Sequence, residues 1–466
     1  MTGADDLTAL AARIAAGKIG AAEVVCELRD RAERFQPQIN CFIATDFEPA
    51  LREARAADAA AARCALRGPL HGVPVAHKDM FYRAGRISTA GSKIRAGYRP
   101  RETATVLERL DRAGALEIGR LNLAEFALYP TGRNEHYGDC RNPWATERTT
   151  GGSSSGSAAA VAAGLCYGSL GSDSGGSIRV PASLCGVTGL KPTTTRVSRH
   201  GIVALSFTLD HVGPIARSVR DVARLLGVIA GADGRDETAA ALPVPDYEAG
   251  LEKGLKGLKI GVPSRFFFET LAEDVAKAVE DGIDTMRRLG AEIAEVDFPD
   301  IDLCAAYSYF VLFGERAAAH GKWLRTRLAE YGALARIRLL PGLAVPMTRY
   351  YEALARRGPL LRRVLDTAFA EADLLYMPTV PITAPLAAAV HESDSGHPAV
   401  LGKLTRNARI FNYLGLPALT LPCGSDRDGL PIGAQMVGKP FAEARLLRAG
   451  HAYQRETDWH RRMPRL

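Results

Sequence analysis

None of the eight cysteines forms a C-x-x-C pair, and no cysteine–histidine cluster has the spacing of a zinc site. Metal-centred and dithiol redox chemistry therefore have no sequence support, and no metal or organic cofactor is expected. Most thiols sit among apolar neighbours, as in "VVCEL" and "SLCGV", which fits free cysteines in a reducing compartment. The opening "MTGADDLTAL" is acidic and lacks the basic-then-apolar pattern of a secretory signal. No stretch of about twenty apolar residues is free of charge, which argues against a spanning helix and a membrane partner. The expected location is the cytoplasm. Blocks of like charge are also missing. The net charge of +7, from 59 basic and 52 acidic side chains, is spread along the chain, so nucleic acid is not an expected direct partner. The C-terminal "RRMPRL" is short enough to be a solvated tail. There is no internal repeat, and no low-complexity tract beyond alanine-rich helices.

What is present is a 466-residue chain whose composition is that of a globular enzyme with a substantial core. Residues 5–65 have helical periodicity, with Gly17 ending the first segment. "LHGVPVAHKDMF", residues 70–81, reads as a short apolar strand ending in a charged pair. "ALEIGRLN", "YGSLGSDS", "GLKIGVPS", "AEIAEVDFP", "ADLLYMPTVP", "PALTLPCG" and "GLPIGAQMVG" read as further strands. Residues 231–256 are polar and broken by Gly and Pro, as a connection would be. Residues 303–371 read as largely helical. Strands alternating with helices predict an α/β layer structure around a mostly parallel or mixed sheet.

Three polar spots interrupt apolar or tightly turned backbone. Lys78 ends a buried strand, where desolvation lowers an amine's pKa and makes a neutral base available; a structural ion pair with Asp79 is the plain alternative. "TTGGSSSGSAAA", residues 149–160, puts glycines ahead of a helix, so its N–H groups can face an anion or oxyanion. It lacks the lysine of a Walker loop. "GSDSGGSIRVPAS" places Ser177 after Gly175 and Gly176, on a turn whose N–H groups can converge on one point. A serine needs a base to become a nucleophile. His77 adjoins Lys78 but points to the opposite face of a strand. No Ser-x-x-Lys motif occurs, and no Gly-x-Ser-x-Gly surrounds Ser177.

Taken together, these segments resemble the amidase signature family of serine hydrolases. The resemblance extends through "TAGSKI", "GRLNLAEFA", "CRNPWATERTTGGSSSGSAAAVAAG", "GLKPTTTRVSRHG", "LDHVGPIARSV" and "FNYLGLPALTLPCG". It implies one α/β/α domain over 1–466, built on a large twisted mixed sheet. Helices occupy 1–66, the signature core 67–230, and a helical cover over the site 303–371. It also implies a serine–serine–lysine triad: Ser177 as nucleophile, Ser153 as bridging serine after a cis peptide bond, and Lys78 as general base. The N–H groups of Ser174, Gly175, Gly176 and Ser177 would form the oxyanion hole. Asp173 and Arg179 would brace the turn, and Ser154 would support the network. Ser155 stands where many relatives have glycine.

The implied reaction is hydrolysis of a small-molecule carboxylic amide or ureide through an acyl-enzyme. Phe126, Tyr129 and Thr131, in "FALYPTGRNEHYG", and Arg338, in "ALARIRLLPG", are candidate substrate contacts; Arg338 could grip a carboxylate bidentately. The rival reading is the glutaminase subunit of a tRNA-dependent amidotransferase, which holds the glutamine amino group with an aspartate before its "GLP" segment. Here that region, "KLTRNARIFNYLGLP", offers Thr405 and Arg406 and no acid, so a free-standing amidase ranks first. The resemblance also allows a homodimer.

Overall fold

The computed structural model describes residues 6–393 and 399–466. Residues 1–5, the start of the expected N-terminal helical segment, lie outside them. Thirteen strands occur among the described residues: β1 (Phe42–Thr45), β2 (Pro74–Lys78), β3 (Leu116–Leu121), β4 (Arg141–Asn142), β5 (Ala145–Thr149), β6 (Gly168–Ser172), β7 (Thr188–Lys191), β8 (Val212–Ala216), β9 (Lys259–Pro263), β10 (Glu292–Val296), β11 (Leu374–Pro378), β12 (Ala418–Ser425) and β13 (Pro431–Gly438). Eleven form one mixed sheet in the order β1-β3-β2-β6-β8-β7-β12-β13-β11-β9-β10, while β4 and β5 form a separate hairpin. The expected fold class, helices around a large mixed sheet, is the one observed.

Burial explains the strand sequences. β2, β6, β7, β8, β11 and β13 are buried at every residue, so they read as continuous apolar or small-residue runs rather than alternating ones. The helix Val219–Ile229 opens with a capping box between Ser218 and Asp221. Cover helices Ile301–Thr326 and Met347–Asp366 share a second apolar cluster with β11 and β13 that includes Val311, Leu312, Phe411 and Tyr413. Within it Phe267 stacks on Phe411 at 5.6 Å.

Strand direction places the site. β2 runs parallel to both β3 and β6. Parallel neighbours end at the same edge of a sheet, and the crevice beyond their carboxyl ends is where such sheets hold ligands. Lys78 is the last residue of β2 and Ser172 the last of β6. The turn 173–178 follows directly, and the helix Ser155–Ala162 begins just after Ser153 and Ser154. The strand β1 and the β4–β5 hairpin have no counterpart in the sequence reading: β1 is four residues long and β4 two.

Candidate active site

Lys78 is 1 % exposed, and its Nζ lies 2.7 Å from Ser153 Oγ and 2.9 Å from Ser172 Oγ. Asp79, the plain alternative partner, instead accepts the Thr89 N–H at 2.9 Å and the Thr89 hydroxyl. Burial pushes the Lys78 amine down to about 7, against the pull of Asp173 and Asp210. His77 accepts the Leu170 N–H at 3.3 Å, and burial lowers it to about 3. It takes no part in the lysine–serine contact.

The Gly152–Ser153 peptide is cis. Gly152 lies hard against the Thr131 backbone: a methyl group placed there would come within 2.2 Å of the Thr131 carbonyl oxygen, so only glycine fits. Ser154 donates its N–H to the Ser177 carbonyl at 3.2 Å and its hydroxyl to the Ser172 carbonyl at 3.2 Å. Ser155 starts the helix, its hydroxyl 3.4 Å from the Asn122 carbonyl. Ser153 is fully buried and Ser177 half-buried. The Ser154–Ser177 backbone bond sets the two serines side by side, but the Ser177 hydroxyl makes no hydrogen bond among the described residues.

A buried network holds the turn after β6. Asp173 accepts the N–H of Gly176 at 2.6 Å and of Ile178 at 3.1 Å. Arg179 reaches it with Nε at 3.0 Å and Nη2 at 3.1 Å. Asn412 donates to both the Asp173 carbonyl and its carboxylate at 2.8 Å and accepts from Arg179 at 2.7 Å. Burial alone would raise the Asp173 pKa; the adjacent guanidinium and these hydrogen bonds hold it well below the usual carboxylate range. The network corrects one expectation. The Gly176 N–H is tied to Asp173, because φ of +122° at Gly176 turns the chain back on itself. The N–H groups of Ser174, Gly175 and Ser177 bond no acceptor among the described residues. Ser174 donates its hydroxyl to Asp210 at 2.5 Å.

Ser174, Gly175 and Ser177 line a cavity of about 90 Å³ together with Tyr129, Leu312, Arg316, Arg338, Thr405 and Arg409. Tyr129 and Arg338 thus stand on its wall, as does Thr405, while Arg406 turns away to pair with Glu269 at 2.8 Å. Two expected contacts are corrected. Phe126 is packed among His320, Trp323 and Tyr331, with centroids at 4.7, 5.3 and 5.6 Å, because positive φ angles at Phe126 and Ala127 swing its ring away from the cavity. Thr131 is buried behind Gly152 and does not line the cavity. Ser172, Asp210, Asn412, Arg316 and Arg409 were not singled out from the sequence. Their positions depend on which strands and helices become neighbours.

The amidase family model matches residues 23–447. The glutaminase-type A chain of the Glutamyl-tRNA(Gln) amidotransferase of Chloroflexus aggregans is 42% identical over 476 residues, covering 97% of this chain and 96% of its own. A chain solved under the description "An unexpected vestigial protein complex reveals the evolutionary origins of an s-triazine catabolic enzyme" superposes with a TM-score of 0.91 at 34% identity, over 97% of this chain and 98% of its own. The peptide amidase PAM, solved with chymostatin, superposes with a TM-score of 0.87 at 30% identity over 99% of both chains. The chain belongs to the amidase signature family and is one of its C–N hydrolases.

Proposed function

We propose that the chain cleaves an amide C–N bond through an acyl-enzyme on Ser177, with Ser153 and Lys78 relaying the proton. The observation that carries this reading is a buried lysine whose two partners are hydroxyls, one of them on the serine bonded through its neighbour to Ser177. With its pKa near 7, about half of the amine is neutral at neutral pH. Neutral Lys78 takes the Ser153 proton as Ser153 takes that of Ser177, and Ser177 Oγ bonds to the amide carbon. The unbonded N–H groups of Ser174, Gly175 and Ser177 supply donors for the negative oxygen that develops. The relayed proton passes to the nitrogen, the C–N bond breaks, and water repeats the sequence on the ester.

Two substrate readings follow from different observations. The curated relatives favour the glutaminase subunit of a tRNA-dependent amidotransferase, with glutamine as amide donor, over the stand-alone amidase that ranks first from sequence. The cavity wall favours the stand-alone enzyme. It carries three arginines and, among the described residues, no carboxylate to receive a glutamine ammonium group.

The test is intact-mass and peptide mapping after treatment with a small neutral fluorophosphonate. One adduct on Ser177, formed at least about tenfold more slowly in Lys78→Ala, is expected. An adduct on another serine, or equal rates in both proteins, would refute the relay. Ammonia release from amides by the chain alone separates the two readings, since a glutaminase subunit working only in a complex would show none until its partner subunits are added.

A further inference from the structure

The cavity in front of Ser177 holds an unusual pair of side chains. Arg316 and Arg409 are 8 % and 7 % exposed, and both line that cavity. Neither guanidinium is satisfied. Arg316 Nε and Arg409 Nε and Nη1 are buried donors without a hydrogen-bond partner. Buried polar groups in folded proteins are almost always bonded, and a buried unpaired charge is costlier than a neutral group, so orphaned guanidinium donors call for an explanation.

The surroundings hold the two groups in place. The Arg409 guanidinium lies over the Tyr309 ring at 3.9 Å, and that of Arg316 over Phe313 at 5.4 Å. Tyr309 and Phe313 stack on each other with centroids 5.8 Å apart on the helix Ile301–Thr326, making one aromatic floor under both cations. Arg409 also abuts the reactive turn: a methyl group on Gly175 would lie 3.6 Å from Arg409 Cβ. The nearby carboxylates are engaged elsewhere. Asp210 accepts from Ser174, Leu205 and Ser206, and Glu315 from Ser206, Thr208 and Tyr350. Arg338 adds a third cation to the wall. Burial, and then Arg338, push Arg316 down to about 9, and burial lowers Arg409, which is the direction expected of cations that lack a counter-charge.

We infer that Arg316 and Arg409 form an anion subsite, and that the amide cleaved at Ser177 belongs to a small acid carrying a carboxylate at the end remote from the scissile bond. This rests on the proposed role of Ser177 and narrows its substrate class. Guanidinium forks match carboxylate oxygens in geometry and charge. The same wall repels an ammonium group, so a monoamide of a dicarboxylic acid fits it better than glutamine. The small free volume limits the acid to a few carbons: about 90 Å³ is the share of roughly three liquid water molecules.

Protection of Ser177 from a neutral fluorophosphonate tests this without knowing the natural substrate. The protectants are the monoamides of oxalic, malonic, succinic and glutaric acid, each paired with its neutral diamide, together with L-glutamine. Each pair differs only in the remote group. At least one monoamide is expected to halve the labelling rate at a concentration tenfold or more below that of its diamide and of L-glutamine. In Arg409→Gln and Arg316→Gln, each measured against its own unprotected rate, that tenfold preference shrinks to threefold or less. Equal protection by acids and diamides in the wild type, or a preference retained in both variants, overturns the anion subsite. Absence of any Ser177 adduct in the wild type refutes the catalytic reading instead. Titration of the same pairs by calorimetry then reads the arginine site by itself, with equal affinity for acid and diamide overturning it.

Discussion

An amine removed from water and given two hydroxyls in place of a carboxylate loses most of what keeps it charged. Lys78 is in that position, and the direction of its shift has consequences for rate and for stability. The base must be neutral to act, so kcat/KM should rise about tenfold per pH unit below about 7 and level off above it. Lys78→Met should lower the rate roughly 10²–10⁴-fold. Its folded pKa lies below the value of the unfolded chain, so between about 7 and 10.5 the unfolded state binds the extra proton. Stability contributed at this position therefore rises with pH across that window. Urea midpoints at pH 7 and pH 9.5 should show the wild type gaining on Lys78→Met at the higher pH. A flat pH–rate profile through 7, or parallel midpoints, would mean the lysine is not the titrating base. At this scale the sequence was legible where a residue's type is unusual for its surroundings. A lysine in an apolar strand and serines among glycines announce themselves. Ser172 does not, because a serine at a strand end is ordinary until β6 is known to run parallel beside β2. Phe126 misleads for a related reason: an aromatic near a site sequence fills core or cavity according to a backbone angle that its identity does not reveal.

The turn between β6 and the helix Arg179–Cys185 shows how an element is held when it carries few apolar contacts of its own. Its fixed point is the fully buried Asp173–Arg179 pair, extended by Asn412 and Gln435 from the C-terminal third of the chain. Removing one member of a buried pair leaves the other charge uncompensated, at about 3–5 kcal/mol. Arg179→Met should lower unfolding stability by that amount in urea titrations. It should also lower kcat more than it raises KM, since Asp173 orients the backbone from Gly176 to Arg179 beside the nucleophile. Full stability with lost activity would instead make Arg179 a direct participant. Strand legibility follows the same logic of partners. Long buried runs such as 374–378 and 431–438 stand out on their own. The pairing order, in which β12 joins β7 to β13, depends on contacts across more than two hundred residues and leaves no local mark.

Over the whole molecule, the reactive residues sit between the carboxyl edge of the sheet and the helices of 301–366, and Glu315 links the two sides. It is 1 % exposed and accepts from the hydroxyls of Ser206, Thr208 and Tyr350 and from the Thr208 N–H. The same loop, 205–210, carries Asp210, which takes the N–H groups of Leu205 and Ser206 at 2.8 and 3.0 Å and the Ser174 hydroxyl. A continuous set of buried hydrogen bonds thus runs from the cover helix to the turn that bears Ser177, and Arg316 is the next residue along that helix. An ionised carboxylate satisfies four donors at once, whereas a carboxamide offers one accepting oxygen and turns an NH₂ toward groups that also donate. Glu315→Gln should therefore cost about 1–3 kcal/mol of stability. It should also loosen the cover against the sheet edge, raising KM for an amide substrate severalfold while kcat falls less, because Lys78, Ser153 and Asp173 are anchored on the sheet side. Urea titration and Michaelis kinetics on the same preparation decide it. A stability loss with KM unchanged would reduce Glu315 to a brace of the fold. A rise in KM alongside the stability loss would show that the cover sets substrate affinity from a contact outside the cavity wall.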